Sequence, residues 1–413
     1  MGPDWELVAA VRRGDAAAVT ALLEAGAAAY TVAEDGLTVL CLAVGAHDAD
    51  VAGALIGGGA DPDRRLPDGT TPLERAVDGG SPAVTRALLG DDPLPRIPEA
   101  ERERLLALAR HWHERGAEIE LRDRTAEFGP VREEYVEGSR YRYVVRLTLG
   151  PLTVYAGHGA ILTDLEWAFG ILTPVDELMA RALTGHWHND VDESSVTAVL
   201  THRIGEETFA AVIAHRHDPD PEQRLLVLTV LESYRLRPLR MLFQRSSWGN
   251  TFAKETVDVL VAWATDGEED DPAVLARVLW MLGEMGPPES EAMGLRYASH
   301  PSARIRAEVP VLLLDWGTRL PPPPAAKEAL LTLAADDDAR VRREAGGTLV
   351  VIAGHNGIDD LAGTIVGLLR DPESQVREHI AAVIRLYGDE VRTPAVADAL
   401  APLRDQDGGP VDR

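Results

Sequence analysis

Two stretches near the C-terminal end share one pattern of apolar and polar positions. In both, mostly apolar residues recur at offsets 0, 4, 7, 8 and 11, which places them on one face of an α-helix. These residues are Val341, Ala345, Thr348, Leu349 and Ile352, and then Val376, Ile380, Val383, Ile384 and Tyr387. A turn ending in Val-Arg precedes each set, and Arg377 follows Arg342 by 35 residues. One helix pair cannot bury such a face alone, so the pattern predicts stacked helical repeats.

The same frame occurs three more times upstream. Pro301–Arg306 and Asp218–Arg224 each precede an apolar helical stripe, and Arg306 lies 36 residues before Arg342. Asp271–Arg277 is a weaker copy whose stripe is displaced by about one residue. The two clearer stripes are Ile305, Val309, Leu312, Leu313 and Trp316, and Val227, Val230, Leu231 and Tyr234. Residues 206–404 are therefore expected to form an α-solenoid.

A turn with aspartate or proline, a Val-Arg pair and an apolar helix together resemble the HEAT-repeat family. In that family, aspartate and arginine form a ladder between neighbouring repeats. The resemblance implies that role for Asp218, Asp271, Asp336 and Asp371 with Arg224, Arg277, Arg306, Arg342 and Arg377. His300 stands where an aspartate is expected, so the sequence departs from the family pattern at that repeat.

A second repeat, with a period of 33 residues, occupies residues 5–90. The residues that keep this spacing are Leu7, Leu40 and Leu73; Ala10, Ala43 and Ala76; Gly26 and Gly59; and Gly36 and Gly69. Each unit contains two short helical segments and an Asp-Gly turn. The turns at Asp35-Gly36 and Asp68-Gly69 favour a glycine with positive φ.

This second repeat resembles the ankyrin-repeat family, in which Asp-Gly-x-Thr-Pro-Leu-His opens the unit. Asp68–Glu74 matches that motif with glutamate in place of histidine, and Asp35–Cys41 keeps glycine, threonine and leucine but lacks the proline. Two clear units and one degenerate N-terminal unit are expected, with Glu99–Arg115 closing the stack. The resemblance implies partner contacts at the loop tips and inner helices, at Arg64, Arg65, Asp68, Glu74, Arg75 and Asp78.

Between the two repeat regions, residues 118–205 have a different character. Arg140–Leu149 is rich in β-branched and aromatic residues, and Gly150-Pro151 separates it from the short run 152–156. Glu133–Glu137 can pair with it across Gly138-Ser139, which predicts a small antiparallel sheet of two or three strands. Helices are expected again from about Leu162.

One later helix has a clear predicted start. Thr173 is expected to cap a helix whose first residue is Pro174. The sequence as a whole predicts a mainly α protein in four segments. They are an ankyrin-repeat domain (1–117), a connector with a small sheet (118–205), a HEAT-like α-solenoid (206–404) and a disordered tail (405–413).

Composition narrows the possible partners. The net charge of −26 argues against a role in binding nucleic acids, whose phosphates a protein must neutralise, or anionic membranes. A single cysteine, Cys41, fits a reducing compartment, and it is expected to be a small core residue. No signal peptide and no apolar run of membrane-spanning length are recognisable. The sequence therefore predicts a cytoplasmic protein.

Candidate catalytic and metal-binding groups are few. His186 and His188 form the best metal candidate, but a polar loop with incidental histidines is the favoured interpretation. His111 and His113 lie within a predicted helix, where their spacing suits chelation poorly. Gly157–Ala160 lacks both phosphate-loop patterns and is expected to be a turn that allows chain segments to approach closely. No catalytic, cofactor-binding or metal-binding residue is predicted.

One dense basic cluster stands out in this acidic chain. It consists of Arg235, Arg237, Arg240 and Arg245, with Tyr234, Phe243 and Trp248 among them. Such a cluster can hold an acidic or phosphorylated peptide by paired hydrogen bonds and stacking. The simpler alternative is an intramolecular partner for the acidic loop Asp266–Asp271.

The leading functional prediction is a non-enzymatic scaffold or adaptor, because both resemblances imply binding of partner proteins on extended surfaces. The arrangement also resembles actinobacterial proteins that combine ankyrin and HEAT repeats. The alternative is an enzyme or metal-dependent sensor with its site in residues 140–193. A third possibility is a lyase-like chaperone of the bilin type, although no cysteine suited to cofactor handling is recognisable. The sequence indicates neither the partner nor the oligomeric state.

Overall fold

The computed structural model describes residues 3–139, 142–184, 190–203, 205–240, 252–314, 321–356, 360–387 and 393–404. These residues are mainly α-helical, with one small antiparallel sheet, as predicted. The chain divides into two compact units, Met1–Val230 and Leu231–Arg413. The predicted ankyrin domain and connector both fall in the first unit. The four-segment division remains a prediction, and the tail from 405 onwards lies outside the described residues.

The first unit begins with three helix pairs that repeat every 33 residues. They are α1 and α2 (Pro3–Arg13, Ala16–Glu24), α3 and α4 (Val39–Gly45, Ala49–Gly57), and α5 and α6 (Pro72–Asp78, Pro82–Leu89). The first helices of the pairs contact one another in a row, and so do the second helices. The leucines and alanines with 33-residue spacing lie in the shared buried core: Leu7, Leu40, Leu73, Ala10, Ala43 and Ala76.

Polar side chains define where these short helices start. Asp15 and Asp48 accept the backbone N–H groups of Ala18 and Val51 at the starts of α2 and α4. Thr38 and Thr71 do the same for the first helices α3 and α5. Such caps satisfy donors that have no partner within the helix, which matters most for helices of only two turns.

An extended loop, here called a finger, connects each pair to the next. The first finger comprises residues 26–37 and the second comprises residues 59–70. Gly36 and Gly69 adopt φ values of +81° and +83° at the finger tips, as the Asp-Gly turns predicted. Asp35 accepts the N–H of Leu37, and Asp68 accepts that of Thr70, so each aspartate fixes its turn.

A fourth helix pair extends this stack. Its first helix is α7 (Glu99–Arg115), which packs on α5, and its second is α9 (His158–Ala168), which packs on α7 and α6. Leu105 and Ala109 of α7 and Ile161, Leu162 and Leu165 of α9 belong to the same buried core as the ankyrin helices.

The turn that ends the second helix identifies α9 as the partner of α7. Gly26, Gly59 and Gly170 all have positive φ, and their N–H groups donate to carbonyls three residues earlier. The next residue of each turn donates to a carbonyl five residues earlier: Ala27 to Leu22, Ala60 to Leu55 and Ile171 to Glu166. The same closing turn therefore follows α2, α4 and α9. Residues 116–157 are an insertion between the two helices of a fourth ankyrin-like pair.

The insertion contains α8 (Ala117–Thr125) and the predicted sheet. Its strands β1 (Arg132–Ser139), β2 (Arg142–Leu149) and β3 (Leu152–Tyr155) are antiparallel in the order β1–β2–β3. Tyr135 faces Val145, and Leu147 faces Val154, so the predicted antiparallel pairing is confirmed. Ser139 itself pairs with Arg142, so β1 continues through residues 138–139 and the predicted position of the turn is wrong. Val145, Leu147 and Val154 are buried with Trp112 of α7 and Leu121 of α8. The sheet is thus stabilised by neighbouring helices, as a small sheet requires.

The first unit continues with α10 (Val175–Ala182), α11 (Asp190–His202), α12 (Glu206–Ala214), a 3₁₀ turn (His215–His217) and the start of α13 (Pro221–Arg240). The predicted start of α10 is wrong in detail. Pro174 precedes the first helical residue, and the Thr173 hydroxyl donates to Glu166 at 2.7 Å instead of capping the helix. The buried Glu166 carboxylate also accepts from Arg181 at 2.7 Å, so the threonine serves a buried ion pair.

The second unit contains the rest of α13 and ten further helices within its described residues. They are α14 (Ala253–Asp266), α15 (Pro272–Met285), α16 (Ser290–Tyr297), α17 (Ala303–Arg306), α18 (Val309–Leu312), α19 (Pro324–Leu333), α20 (Ala339–Asn356), α21 (Ala362–Leu368), α22 (Ser374–Tyr387) and α23 (Pro394–Arg404). The stripe of α20 is buried throughout, and that of α22 is buried or half-buried up to Ile384. The helix expected after Pro301 is split into α17 and α18, because Pro310 lacks the N–H that would bond the turn before it.

The predicted Asp-Arg ladder is present between three neighbouring repeats. Arg306 binds both carboxylate oxygens of Asp336 at 2.7 and 2.8 Å, and Arg342 binds those of Asp371 at 2.7 and 2.9 Å. The remaining guanidinium nitrogen of Arg342 donates to the carbonyls of Asp336 and Asp337 in its own turn. Arg306 and Arg377 contact their own turns in the same way. Each arginine therefore fixes a turn, and two of them also join that turn to the next repeat.

The ladder departs from the family pattern at His300. Its ring nitrogen accepts the N–H of Ser302, which is the capping role that Asp336 and Asp371 perform in their repeats. Arg277, the preceding arginine, instead pairs with Glu232 and lies over the ring of Trp280 at 4.5 Å. A histidine offers no carboxylate, so the ladder role predicted for Arg277 is wrong.

Candidate partner-binding surfaces

The fingers and the adjoining side of the first helices form the inner surface of the ankyrin stack. Arg75 of α5 shows which side this is, because it donates to Thr70 and Asp68 of the second finger at 3.1 and 2.8 Å. On α1, Asp4 accepts the N–H of Ala28 at 3.1 Å, and Arg12 pairs with Asp35 at 3.2 Å. The first finger is therefore held against α1, and the second finger against α5.

The contact residues predicted from the ankyrin resemblance lie on this inner surface and are engaged within the chain. Arg65 pairs with Glu101 of α7, and Glu74 pairs with Arg104 of α7, both at 3.0 Å. Asp68 holds Arg75, and hydrogen bonds from Arg75 and Thr70 lower the pKa of Asp68 to about 2. Arg64 is exposed at the second finger.

Asp78, the last predicted contact residue, belongs to a layered cluster. Its carboxylate accepts from the Trp112 indole at 2.9 Å and from both terminal nitrogens of Arg124 at 2.7 and 2.9 Å. Arg124 also lies over one face of the Trp112 ring at 4.5 Å. The ring of His158 stacks parallel to Trp112 at 4.6 Å. Helices α7, α8 and α9 thereby occupy the surface around the third ankyrin pair.

The open, apolar part of the inner surface lies on the first helix pair and the first finger. Trp5, Tyr30 and Val32 are 54%, 69% and 54% exposed. At the positions 33 residues after Tyr30 and Val32 stand Asp63 and Arg65, which pair with Arg96 and Glu101. The first finger therefore presents apolar side chains where the second finger presents charges neutralised by its neighbours.

The turn at Gly157–Ala160 brings the insertion against the third helix pair. Tyr155 donates its N–H to the Gly79 carbonyl at 2.9 Å, and Gly157 donates to that of Gly80 at 3.2 Å. A Cβ atom on Gly157 would lie 2.6 Å from the ring of Pro82. The prediction of a turn that permits close approach is confirmed.

One buried and one half-buried histidine lie at this junction. His158 lies in the core with Nε2 3.4 Å from the Asp78 carbonyl oxygen, and Nδ1 has no hydrogen-bond partner. His47 packs edge-on against Tyr155 with ring centroids 4.2 Å apart. Burial lowers the pKa of each imidazole to about 4. Both rings are therefore neutral at pH 7.

These pKa shifts predict acid destabilisation of the first unit. A histidine whose pKa is lower in the folded state than its unfolded value of 6.5 destabilises the fold as the pH falls from 6.5 towards 4, because the unfolded state binds the proton more readily. For His158 we expect a loss of about 2 kcal/mol near pH 5 relative to pH 7. Hydrogen exchange of residues 153–165 at pH 7 and at pH 5 measures this loss of stability. His158→Phe keeps the stacking and removes the titration, so an equal pH effect in that variant would contradict the assignment.

Several predicted groups lie partly or wholly outside the described residues. Helix α13 includes Arg235, Arg237 and Arg240, but their side chains are not described, and Arg245 and Trp248 are beyond its described end. His186 and His188 are likewise outside. Within the described ranges, no group of three or more His, Cys, Asp or Glu side chains could hold a metal ion. Helices long and apolar enough to cross a membrane were not found among those residues either. Cys41 is free and buried, as predicted.

Comparison with known proteins agrees with both repeat types. A family profile described as ankyrin repeats, in three copies, matches residues 7–96, and one described as HEAT repeats matches residues 257–350. No curated protein matched the chain. A crystal structure of an engineered protein shares 15% identity over 99% of this chain and 100% of its own length, with a TM-score of 0.34, too low to support an argument. The chain is a repeat protein with ankyrin repeats in its N-terminal part and HEAT repeats in its C-terminal part.

Proposed function

We propose that this protein is a non-enzymatic scaffold that binds partner proteins on its repeat surfaces. Repeats of both types generally serve protein–protein interaction, which supports this role. The observation that carries the proposal is the exposure of Trp5, Tyr30 and Val32 on the inner surface of the ankyrin stack. Exposed apolar side chains grouped on one surface are typical of interaction sites.

The arginine cluster of residues 235–245 is proposed as a second surface, which takes an acidic peptide. Four arginines within eleven residues supply guanidinium groups that match carboxylate or phosphate geometry. Arg65, Asp68, Glu74, Arg75 and Asp78 are proposed as contacts in which a partner competes with the ion pairs already described. The exposed Arg64 is proposed as a further contact at the second finger. We further propose that the protein is cytoplasmic. The strongly acidic chain supports partners that are neither nucleic acids nor anionic membranes.

An affinity pull-down from the source cells, with identification by mass spectrometry, tests the proposal. The full chain is run beside Arg237→Glu/Arg240→Glu and Trp5→Ala/Tyr30→Ala variants. We expect at least one protein that is captured reproducibly by the wild type and lost in one of the variants. Loss in the arginine variant locates the partner at α13, and loss in the aromatic variant locates it at the first finger. Failure to capture any reproducible partner would contradict the scaffold role and direct attention to small ligands of the 118–205 region.

A further inference from the structure

The inner surface of the ankyrin stack changes polarity along its length. At equivalent positions on the first helices, α1 and α3 carry Ala9 and Leu42, whereas α5 carries Arg75. Ala9 and Leu42 are half-buried, and Arg75 is paired with Asp68. Ion pairs join the second finger and α5 to α7, whereas the first two pairs leave an apolar area on their inner surface beside the Arg12–Asp35 pair.

The exposed apolar surface at this end is here called the first-finger patch. It consists of Trp5, Tyr30, Val32 and Leu42. The hydrogen bond between Asp4 and the Ala28 N–H places the start of α1 next to the finger residues before Tyr30. The bridge between Val32 and Thr38 places the other side of the finger next to α3. The patch therefore spans α1, the first finger and α3.

Acidic residues flank the patch residues Trp5 and Val32 along the chain. Asp4, Glu6, Glu34 and Asp35 are all exposed. Arg12 neutralises Asp35. Among the described residues, neither Glu6 nor Glu34 has an ion-pair partner. A partner that covers the aromatic rings brings its own charges next to these carboxylates, so a cationic partner gains attraction and an anionic one is repelled.

We propose that the first-finger patch binds a protein segment in which arginine or lysine alternates with apolar residues. The inference rests on the proposed scaffold function and names the partner chemistry for its ankyrin surface. Guanidinium groups stack on exposed Trp and Tyr rings and pair with carboxylates at the rim, while aliphatic side chains contact Val32 and Leu42. This chemistry is opposite to that proposed for the arginine cluster, so the two surfaces select different partners.

Selection from a displayed library of random 12-residue peptides tests the proposal. The library is panned on the immobilised full chain, and the most enriched peptide is then measured by fluorescence anisotropy. We expect enriched peptides to be rich in arginine and lysine next to apolar residues. Trp5→Ala/Tyr30→Ala should weaken binding about ten-fold or more. Glu6→Gln/Glu34→Gln should weaken it too and reduce its salt dependence.

Phe128→Ala is the matched control, because Phe128 is 98% exposed in the insertion and away from the first finger in sequence. That variant should bind like the wild type. The glutamine variant changes only exposed carboxylates, so it keeps the test decisive if the aromatic variant does not fold. Enrichment of acidic peptides, no enrichment at all, or binding that both double variants leave unchanged would overturn the proposal. If one of these results is found while the pull-down captures native partners, only the partner chemistry proposed here is wrong. The scaffold function itself is contradicted only if the pull-down captures no native partner.

Discussion

Replacing Gly80 with alanine should destabilise the first unit by about 3–5 kcal/mol. Gly80 has a φ of +72°, a conformation that side-chain-bearing residues adopt only with strain. A Cβ atom there would lie 1.9 Å from the Tyr155 carbonyl oxygen and 2.5 Å from Cε1 of His158. The backbone of the insertion cannot withdraw without breaking the hydrogen bond from Tyr155 to Gly79. Backbone strain and displacement of the insertion therefore add.

Gly59→Ala is the matched control for this substitution. Gly59 also has a positive φ, of +92°, but nothing lies within 4 Å of the position its Cβ would take. We expect it to cost about 1–2 kcal/mol, which is the strain alone. Urea unfolding followed by hydrogen exchange of peptides from the first unit measures both variants. Equal losses for the two alanines would show that the insertion does not press on the third helix pair.

Replacing Arg342 with alanine should cost about 3 kcal/mol in the second unit. The substitution removes the two bonds to Asp371, whose side chain is buried, and the bonds to two carbonyls of its own turn. The guanidinium of Arg342 holds the pKa of Asp371 below its ordinary value of 3.8. Removing it leaves a buried carboxylate without its counter-charge. In the wild type, the stability that this ion pair contributes is present above pH 3.8 and is lost as the pH falls towards the pKa of Asp371 in the folded state.

Arg343→Ala on the same helix is the control. Arg343 pairs with the adjacent Glu344, and both side chains are about one-third exposed. We expect a change of about 0–1 kcal/mol, as for other surface ion pairs. Thermal unfolding of both variants, with hydrogen exchange in residues 360–384, separates the two effects. An Arg342 variant as stable as the Arg343 variant would mean that the ladder does not hold the repeats together.

Periodicity was sufficient to predict both repeat stacks, and the resemblance to HEAT repeats implied the ladder that pairs Arg306 with Asp336 and Arg342 with Asp371. It missed the fourth ankyrin-like pair, because residues 116–157 separate its two helices and no period of 33 can bridge them. One signal was available: Leu106 and Ala109 lie 33 residues after Leu73 and Ala76. The sequence predicted that α7 packs at the end of the stack, but it did not show which charges of the inner surface pair with α7.

The candidate surface was only partly predictable for the same reason. The ankyrin resemblance placed contacts at Arg65, Glu74 and Asp78, and these residues do lie on the inner surface. Their ion pairs depend on side chains of α7 and α8, which come from distant parts of the sequence. Tyr30 is likewise exposed because, in the described part of the chain, no helix covers the first finger as α7 covers the second, and this is a property of the packed stack rather than of its composition.

Hydrogen exchange of the full chain with and without its captured partner tests the scaffold role most directly. With the partner bound, we expect slower exchange in peptides that cover α1 and the first finger, residues 3–38, or that cover the arginine cluster of residues 235–245. Protection confined to the described parts of residues 116–157 and 171–205 would contradict it, because the partner would then bind the insertion and the helices after α9 instead of the repeat surfaces.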